Sequence, residues 1–259
     1  MNPTARHGWQ DLLKQPALGD HIVQTYQDHQ FLADAVGEYI GSGLRSGDAA
    51  VIIARPAHRA AFTRRLAREG IDVNGAIAAG QLRLFDAEET LARFMCAGMP
   101  DWDAFRALIG GIIAELRLQY GTVRAYGEMV DILWQDGRRD AAIRLEEHWN
   151  ELGELQTFSL LCAYYMDALD TEAYGGALER VCKVHSHLIP VRDYDALDEA
   201  VAAASRRVLD EPLSRMMLSL AAQRGPGTEM PLGQAALLWL KKNMPLTAEK
   251  VLAEVRARA

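Results

Sequence analysis

Two apolar runs separated by an amphipathic segment set the strongest constraint on this chain. Val123 to Met129 (V-R-A-Y-G-E-M) is a short apolar-aromatic run that stops at Gly127-Glu128. Phe158 to Met166 (F-S-L-L-C-A-Y-Y-M) is almost unbroken hydrophobic, bounded by polar residues. Runs of this length between helical segments are the pattern of strands buried on both faces of a parallel sheet. Between them Leu133, Ile143, Leu145, Trp149 and Leu152 can share one helical stripe. The stretch from Thr122 to Met166 therefore reads as a β-α-β unit. The right-handed crossover rule makes its two strands parallel and adjacent or nearly so.

The same pattern extends upstream. His21 to Tyr26 alternates like a strand, Ala49 to Ala54 (A-A-V-I-I-A) reads as a buried one, and Leu82 to Phe85 as a third. Helices are expected from Phe31 to a Gly41-Gly43-Gly47 ending, and from Pro56 to Gly70 with a basic face of His58, Arg59, Arg64, Arg65 and Arg68. Two more are expected over Glu88 to Met95 and from Trp102 to about Tyr120, the second capped by Asp101. Strands alternating with helices at this spacing mean a mainly parallel sheet covered on both faces.

After Met166 the pattern changes. Residues 174–188 read as a helix ending in H-S-H-L-I-P, and nothing beyond Tyr194 reads as a strand. Segments 195–209, 212–223, 231–243 and 247–258 read as helices, the last with Thr247 as its N-cap. The organisation expected is an N-terminal arm over 1–19, an α/β domain over 20–194 and a helical interaction segment over 195–259.

Charge and cysteine usage narrow the function classes. A net charge of -7 and a pI near 5.5 argue against a nucleic-acid surface, and the last 65 residues carry 9 Lys/Arg against 8 Asp/Glu, so no basic footprint marks the tail. Cys96, Cys162 and Cys182 are odd in number and lack a framework spacing, which suits buried free thiols in a reducing compartment. The N-terminus lacks the apolar core of a signal peptide, and no run approaches the roughly 18 apolar residues of a membrane span. A soluble, cytoplasmic protein is expected.

The segments R-A-Y-G-E-M-V-x-x-L-W, L-E-x-x-W-N-E-L and F-S-L-L-C-A-Y resemble the MEDS domain, the methanogen/methylotroph DcmR-type sensory domain. The resemblance begins at His21-Ile22-Val23-Gln24, continues through Asp86 to Leu91 and Phe94-Met95, and ends around His185-Ser186-His187. It covers about the first three quarters of the chain. It implies a RecA/KaiC-like α/β sensory domain, a three-layer sandwich in bacterial or archaeal signalling, without ATPase machinery.

The residues agree on that last point. A phosphate cradle needs glycines plus Lys and Ser/Thr between the first strand and its helix. Here the junction is Tyr26-Gln27-Asp28-His29-Gln30-Phe31, with no glycine or lysine and with a carboxylate that would repel a triphosphate. The expectation is a non-catalytic protein.

In an open parallel sheet, ligands bind outside the carboxyl ends of the strands. Those ends hold Tyr26, Gln27 and Asp28 after the first strand, Arg55 after the second and Asp86 after the third. Glu128 follows the fourth and Tyr164-Tyr165 the fifth. Carboxylates, one arginine and aromatics around an apolar floor suit a small organic ligand, although Asp86 also stands where a plain N-cap would. A second cluster, Cys182, His185 and His187 (C-x-x-H-x-H), offers possible metal or haem ligands, against a plainer reading of a core cysteine and helix-end histidines. Glu146, Glu147 and His148 read as a solvated helix face, Trp149 as a packing residue and Asn150 as a cap or bridge.

The residues by themselves do not name a function; what the resemblance adds to them is a sensory or regulatory protein that binds a small molecule or a signalling partner and transmits the state through its tail. One alternative is a pure protein-interaction regulator of a histidine kinase or a sigma-factor pathway. Another is a metal- or haem-binding sensor using Cys182, His185 and His187. Self-association into a homo-oligomer would be expected of a sensor.

Overall fold

The alternation of apolar runs and amphipathic segments is realised in the computed structural model, which describes residues 8–170, 173–224 and 227–257. The strands of the main sheet are β1 (His21–Tyr26), β2 (Ala49–Ala54), β3 (Leu82–Asp86), β6 (Val123–Gly127), β7 (Ser159–Tyr165) and β8 (His187–Ile189), in the order β3-β2-β6-β7-β1-β8. A two-residue pair, β4 (Met95–Cys96) and β5 (Met99–Pro100), forms a separate hairpin. The β2–β3, β2–β6 and β6–β7 ladders are parallel, the last in the register Arg124↔Ser159 to Gly127↔Cys162. Every residue of β1, β2 and β6 is buried. Such strands need a helical layer on each face, so the α/β sandwich follows from their continuous hydrophobicity.

The helices begin and end where local chemistry puts them. The Asp28 carboxylate accepts from the N–H of Gln30 and caps α2 (His29–Ser46), and Gly47, at φ 87°, closes it in the left-handed region. Pro56 opens α3 (Pro56–Arg68), Asp72 caps the short α4 (Val73–Ala78), and Asp86 caps α5 (Ala87–Ala92) with bonds from Glu88 and Glu89. The helix expected from Trp102 is present but is not uniform. Its segments α6 (Trp102–Phe105) and α7 (Gly111–Tyr120) flank a π-helical turn over Arg106–Gly110. The crossover between β6 and β7 holds two helices, α8 (Met129–Gln135) and α9 (Arg139–Leu155), so Leu133 lies on a different helix from Trp149.

Several boundaries differ from the sequence reading. Gly41 and Gly43 lie inside α2, where they permit close approach: a Cβ at Gly43 would stand 2.6 Å from Cδ and Nε of Arg124. Arg124 is 6% exposed, pairs with Asp48 at 2.9 Å and donates to the carbonyls of Leu13, Lys14 and Tyr39. It therefore pins the N-terminal helix α1 (Trp9–Lys14), whose Trp9 ring meets Phe31 edge-on at 5.4 Å. Of the two forms the sequence allows for 1–19, a loose arm or a short helix, the described residues show the short helix from Trp9; the first seven residues lie outside the described residues. The helix expected over Glu88 to Met95 stops at Ala92, and the hairpin β4–β5 follows, turning at Ala97 (φ 47°) and Gly98 (φ 86°).

The chain divides into two compact units, one of Met1–Gln24 with Asp28–Tyr165, the other of Thr25–Gln27 with Met166–Ala259. In the second unit the helix expected over 174–188 is replaced. A π turn (Ala173–Ala177) and α10 (Leu178–Cys182) lead into β8, whose Leu188 N–H donates to Glu229 O at 2.8 Å. Ile189 precedes Pro190, which favours extended backbone there and outweighs the helical pattern. Four helices follow: α11 (Tyr194–Leu209), α12 (Glu211–Arg224), α13 (Leu232–Asn243) and α14 (Pro245–Arg256). The last starts on Pro245 with Met244 at its N-cap, ahead of the expected Thr247 cap. Leu237, Leu240, Val251 and Leu252 are among the residues that close this unit's core. No helix among the described residues is long and apolar enough to cross a membrane.

Candidate functional site

Arg55 and Glu128 are the residues next after neighbouring parallel strands. The register Ile53↔Gly127 between β2 and β6 sets them side by side at the carboxyl edge of the sheet. The Glu128 N–H donates to Ile53 O at 3.1 Å, and its carboxylate turns inward to zero exposure. One oxygen, Oε1, accepts the Arg55 backbone N–H at 2.6 Å. The other, Oε2, accepts His58 Nδ1–H at 2.6 Å and the Tyr126 hydroxyl at 3.1 Å. A buried carboxylate needs this many donors, because desolvation without them would be prohibitive.

The network continues outward. With the Nδ1 proton of His58 on the carboxylate, its Nε2 accepts from His29 Nδ1 at 3.0 Å. His29 is exposed, and its ring stacks on Tyr165 with centroids 5.9 Å apart and planes at 17°. Asp131, one helical turn after Glu128, is 1% exposed; it accepts Arg55 Nη1 at 3.0 Å and the Tyr165 N–H at 2.8 Å. A chain of bonds thus leads from a fully buried carboxylate, through two imidazoles, to an aromatic surface at the end of β7.

Of the residues expected at the strand ends, Arg55, Glu128 and Tyr165 are brought together in this network. Asp86 and Asp28 serve as helix caps, and Asp86 also pairs with Arg59 at 3.0 Å. Tyr26 is buried, its carbonyl accepting from Met166 N–H, and Gln27 is exposed; both belong to the second unit. Tyr164 projects to the other face of β7, where its hydroxyl donates to Glu146 Oε1 at 2.8 Å. His58, expected on a basic surface, is 9% exposed because it satisfies Glu128. His29, His58 and Asp131 were missed as site residues. The i, i+3 spacing of Glu128 and Asp131 was the one available hint.

The expectation of a solvated face at Glu146 and His148 is corrected as well. They are 0% and 1% exposed. Glu146 turns toward β1 and β7: Cys162 Sγ donates to its Oε2 at 3.4 Å, and His21 Nε2 lies 3.2 Å from the same oxygen. His21 Nε2 is 3.4 Å from Cys162 Sγ, while its Nδ1 donates to Asn150 Oδ1 at 2.8 Å. Burial, and then the Glu146 carboxylate, push the Cys162 thiol and the Tyr164 hydroxyl well above their ordinary pKa values. Cys182 is buried in α10, and His185 and His187 take Val181 O and Ser186 Oγ as Nδ1 partners. Among the described residues, the ligand atoms of Cys182, His185 and His187 do not form a metal-type group together.

A shallow open groove of about 560 Å³ lies elsewhere, along Arg93, Ala104, Leu108, Ile112 and Glu115 beside the π turn, and it includes none of the strand-end residues. The family model described as MEDS, the MEthanogen/methylotroph, DcmR Sensory domain, matches residues 20–186. No curated protein matches the chain.

Proposed function

The chain belongs to the MEDS family of sensory domains, and on that premise we propose that it is a non-catalytic regulatory protein binding a small organic molecule at the strand-end network. The observation that carries this reading is the relay Glu128–His58–His29, which joins a buried charge to an exposed ring stacked on Tyr165. A ligand that stacks on Tyr165 or hydrogen-bonds Arg55 would act on His29, on Asp131 and, through them, on Glu128. A ligand that exchanged partners with these groups would have different affinity for the two arrangements, the requirement for a ligand to shift a conformational equilibrium. The finer RecA/KaiC-like assignment is supported by the parallel ladders and the helical cover of the sheet.

A second reading, docking of a signalling protein such as a kinase or sigma-factor regulator, is favoured by exposed apolar side chains on the helical segment. Leu213 and Met216 of α12 are 46% and 54% exposed, and Leu246 of α14 is 74% exposed. The test is a thermal-shift and NMR titration of the full chain with a panel of small carboxylic acids, amides, alcohols and aromatics. Saturable shifts that centre on Tyr165 and His29, and disappear in Tyr165→Ala and Arg55→Met, support the ligand reading. Shifts unchanged in both variants would overturn it. No binding by the panel, together with capture of one stoichiometric protein through α12, would favour the docking reading.

A further inference from the structure

The cluster on the opposite face of β7 brings together ligand atoms of the kind that hold a metal ion. Three electron-rich atoms converge there: His21 Nε2, Glu146 Oε2 and Cys162 Sγ, with separations of 3.2, 3.4 and 3.4 Å. All three residues are buried in the first unit, and Glu146 has no exposure at all. With its Nδ1 proton committed to Asn150 Oδ1, His21 presents the Nε2 lone pair to a carboxylate oxygen and to sulfur. A proton on Nε2 serves one of those neighbours well. A divalent cation serves all three at once.

We infer that His21, Glu146 and Cys162 form a transition-metal site, with zinc the ion its donors fit best. Zinc takes nitrogen, sulfur and oxygen ligands at about 2.0–2.3 Å, and a tetrahedral shell of that size sets a nitrogen–oxygen pair about 3.3 Å apart and a pair that includes sulfur about 3.6 Å apart, within about 0.2 Å of the distances here. The observed separations match that spacing. The mixed imidazole, thiolate and carboxylate set suits a borderline ion and does not suit magnesium or calcium, which take oxygen.

The outer partners also have the form such a site uses. Asn150 holds His21 in the tautomer that points Nε2 inward, and the Tyr164 hydroxyl donates to Glu146 Oε1, leaving Oε2 for the ion. Binding displaces the Cys162 thiol proton to solvent, and the thiolate, the Glu146 carboxylate and neutral His21 then surround the cation with a formal charge near zero. Three ligands leave room for a further donor. The site stands apart from the strand-end network and does not rest on its function.

The test is cobalt substitution in the full chain. Protein is expressed in minimal medium supplemented with Co²⁺, or refolded with one equivalent of it, and gel-filtered before its metal content and absorption spectrum are measured. One cobalt per chain is expected, with visible bands of tetrahedral intensity and a sulfur-to-cobalt charge-transfer band. Cys162→Ala should abolish the charge-transfer band with the far-ultraviolet circular dichroism intact, whereas Cys96→Ala, at an exposed cysteine, should retain it. Asn150→Ala, which leaves all three ligands in place, should bind cobalt about 10–100-fold more weakly. Should Cys162→Ala not fold, Asn150→Ala still decides the matter. Substoichiometric cobalt without a sulfur band in folded wild-type protein would overturn the proposal, as would a band that persists in Cys162→Ala or an affinity unchanged in Asn150→Ala.

Discussion

Replacing Glu128 tests the strand-end network most directly. The carboxylate has zero exposure and accepts from three donors: the Arg55 backbone N–H, His58 Nδ1–H and the Tyr126 hydroxyl. Glu128→Ala strands all three in a site where His58 and Tyr126 are themselves buried. Each buried donor left without an acceptor costs about 1–3 kcal/mol. Partial rehydration of the Arg55 backbone N–H, whose bond to Glu128 is only part-buried, lowers the sum. The expected loss is about 3–5 kcal/mol, the range seen when one partner of a buried charged pair is removed. For a chain of this size that is a fall of about 6–20 °C in Tm.

Glu128→Gln separates packing from charge. Its amide fills the same space and keeps one oxygen for the Arg55 N–H, but an NH₂ group then confronts the His58 N–H. His58 must move its proton to the other nitrogen, and His29 must follow. Thermal melts of both variants and ¹⁵N chemical shifts of the histidine rings read the two effects. A Tm loss under about 2–4 °C in Glu128→Ala, equivalent to about 1 kcal/mol, would refute the reasoning, as would unchanged His58 and His29 tautomers in Glu128→Gln.

Three further outcomes are expected. Arg124→Met should destabilise by about 3–5 kcal/mol, since it removes the guanidinium that Asp48 and the carbonyls of Leu13, Lys14 and Tyr39 share; chemical denaturation should also show α1 released, read from Trp9 fluorescence. Gly43→Ala should cost about 1–3 kcal/mol by overpacking Arg124, while Gly153→Ala, in α9 with open space around its Cβ, should gain about 0.4–1 kcal/mol; equal Tm changes in the two would contradict the packing account. Finally, burial and then Glu179 push the Cys182 thiol from its ordinary 9.0 up to about 12. The unfolded chain sheds a proton there that the folded chain keeps, so this contribution is whole below pH 9 and falls as pH rises to 12, by about 1.4 kcal/mol per pH unit. Cys182→Ala should flatten the stability curve in that window, measured by urea midpoints at stepped pH.

The strands and the parallel β6–β7 unit were legible in the sequence because continuous hydrophobicity is a local signal. A-A-V-I-I-A and F-S-L-L-C-A-Y have no stable alternative to burial on both faces. The caps at Asp86 and Asp101 were equally local, as was the missing phosphate cradle after β1, whereas Asp28 showed itself as a cap only in the structure. Short elements were not legible: the β4–β5 hairpin and β8 are two or three residues long, too brief for a period to show.

The sites divide in the same way. Arg55 and Glu128 could be found because they directly follow strands, and strand ends are where an open parallel sheet places its ligands. Their partners depend on distances that no spacing encodes. His58 and Glu128 are 70 residues apart, and His21 and Cys162 are 141 apart. In the sequence Glu146 and His148 sit among charged neighbours and have the look of a wet surface. Only packing of α9 against β1 and β7 decided that Glu146 is buried, because a polar group is admitted to a core when other chain segments bring it partners. The sequence by itself determined which segments must be buried and in what secondary structure. The tertiary structure alone decided which polar side chains those segments carry inside, since the energy that pays for their desolvation comes from residues far away in the chain.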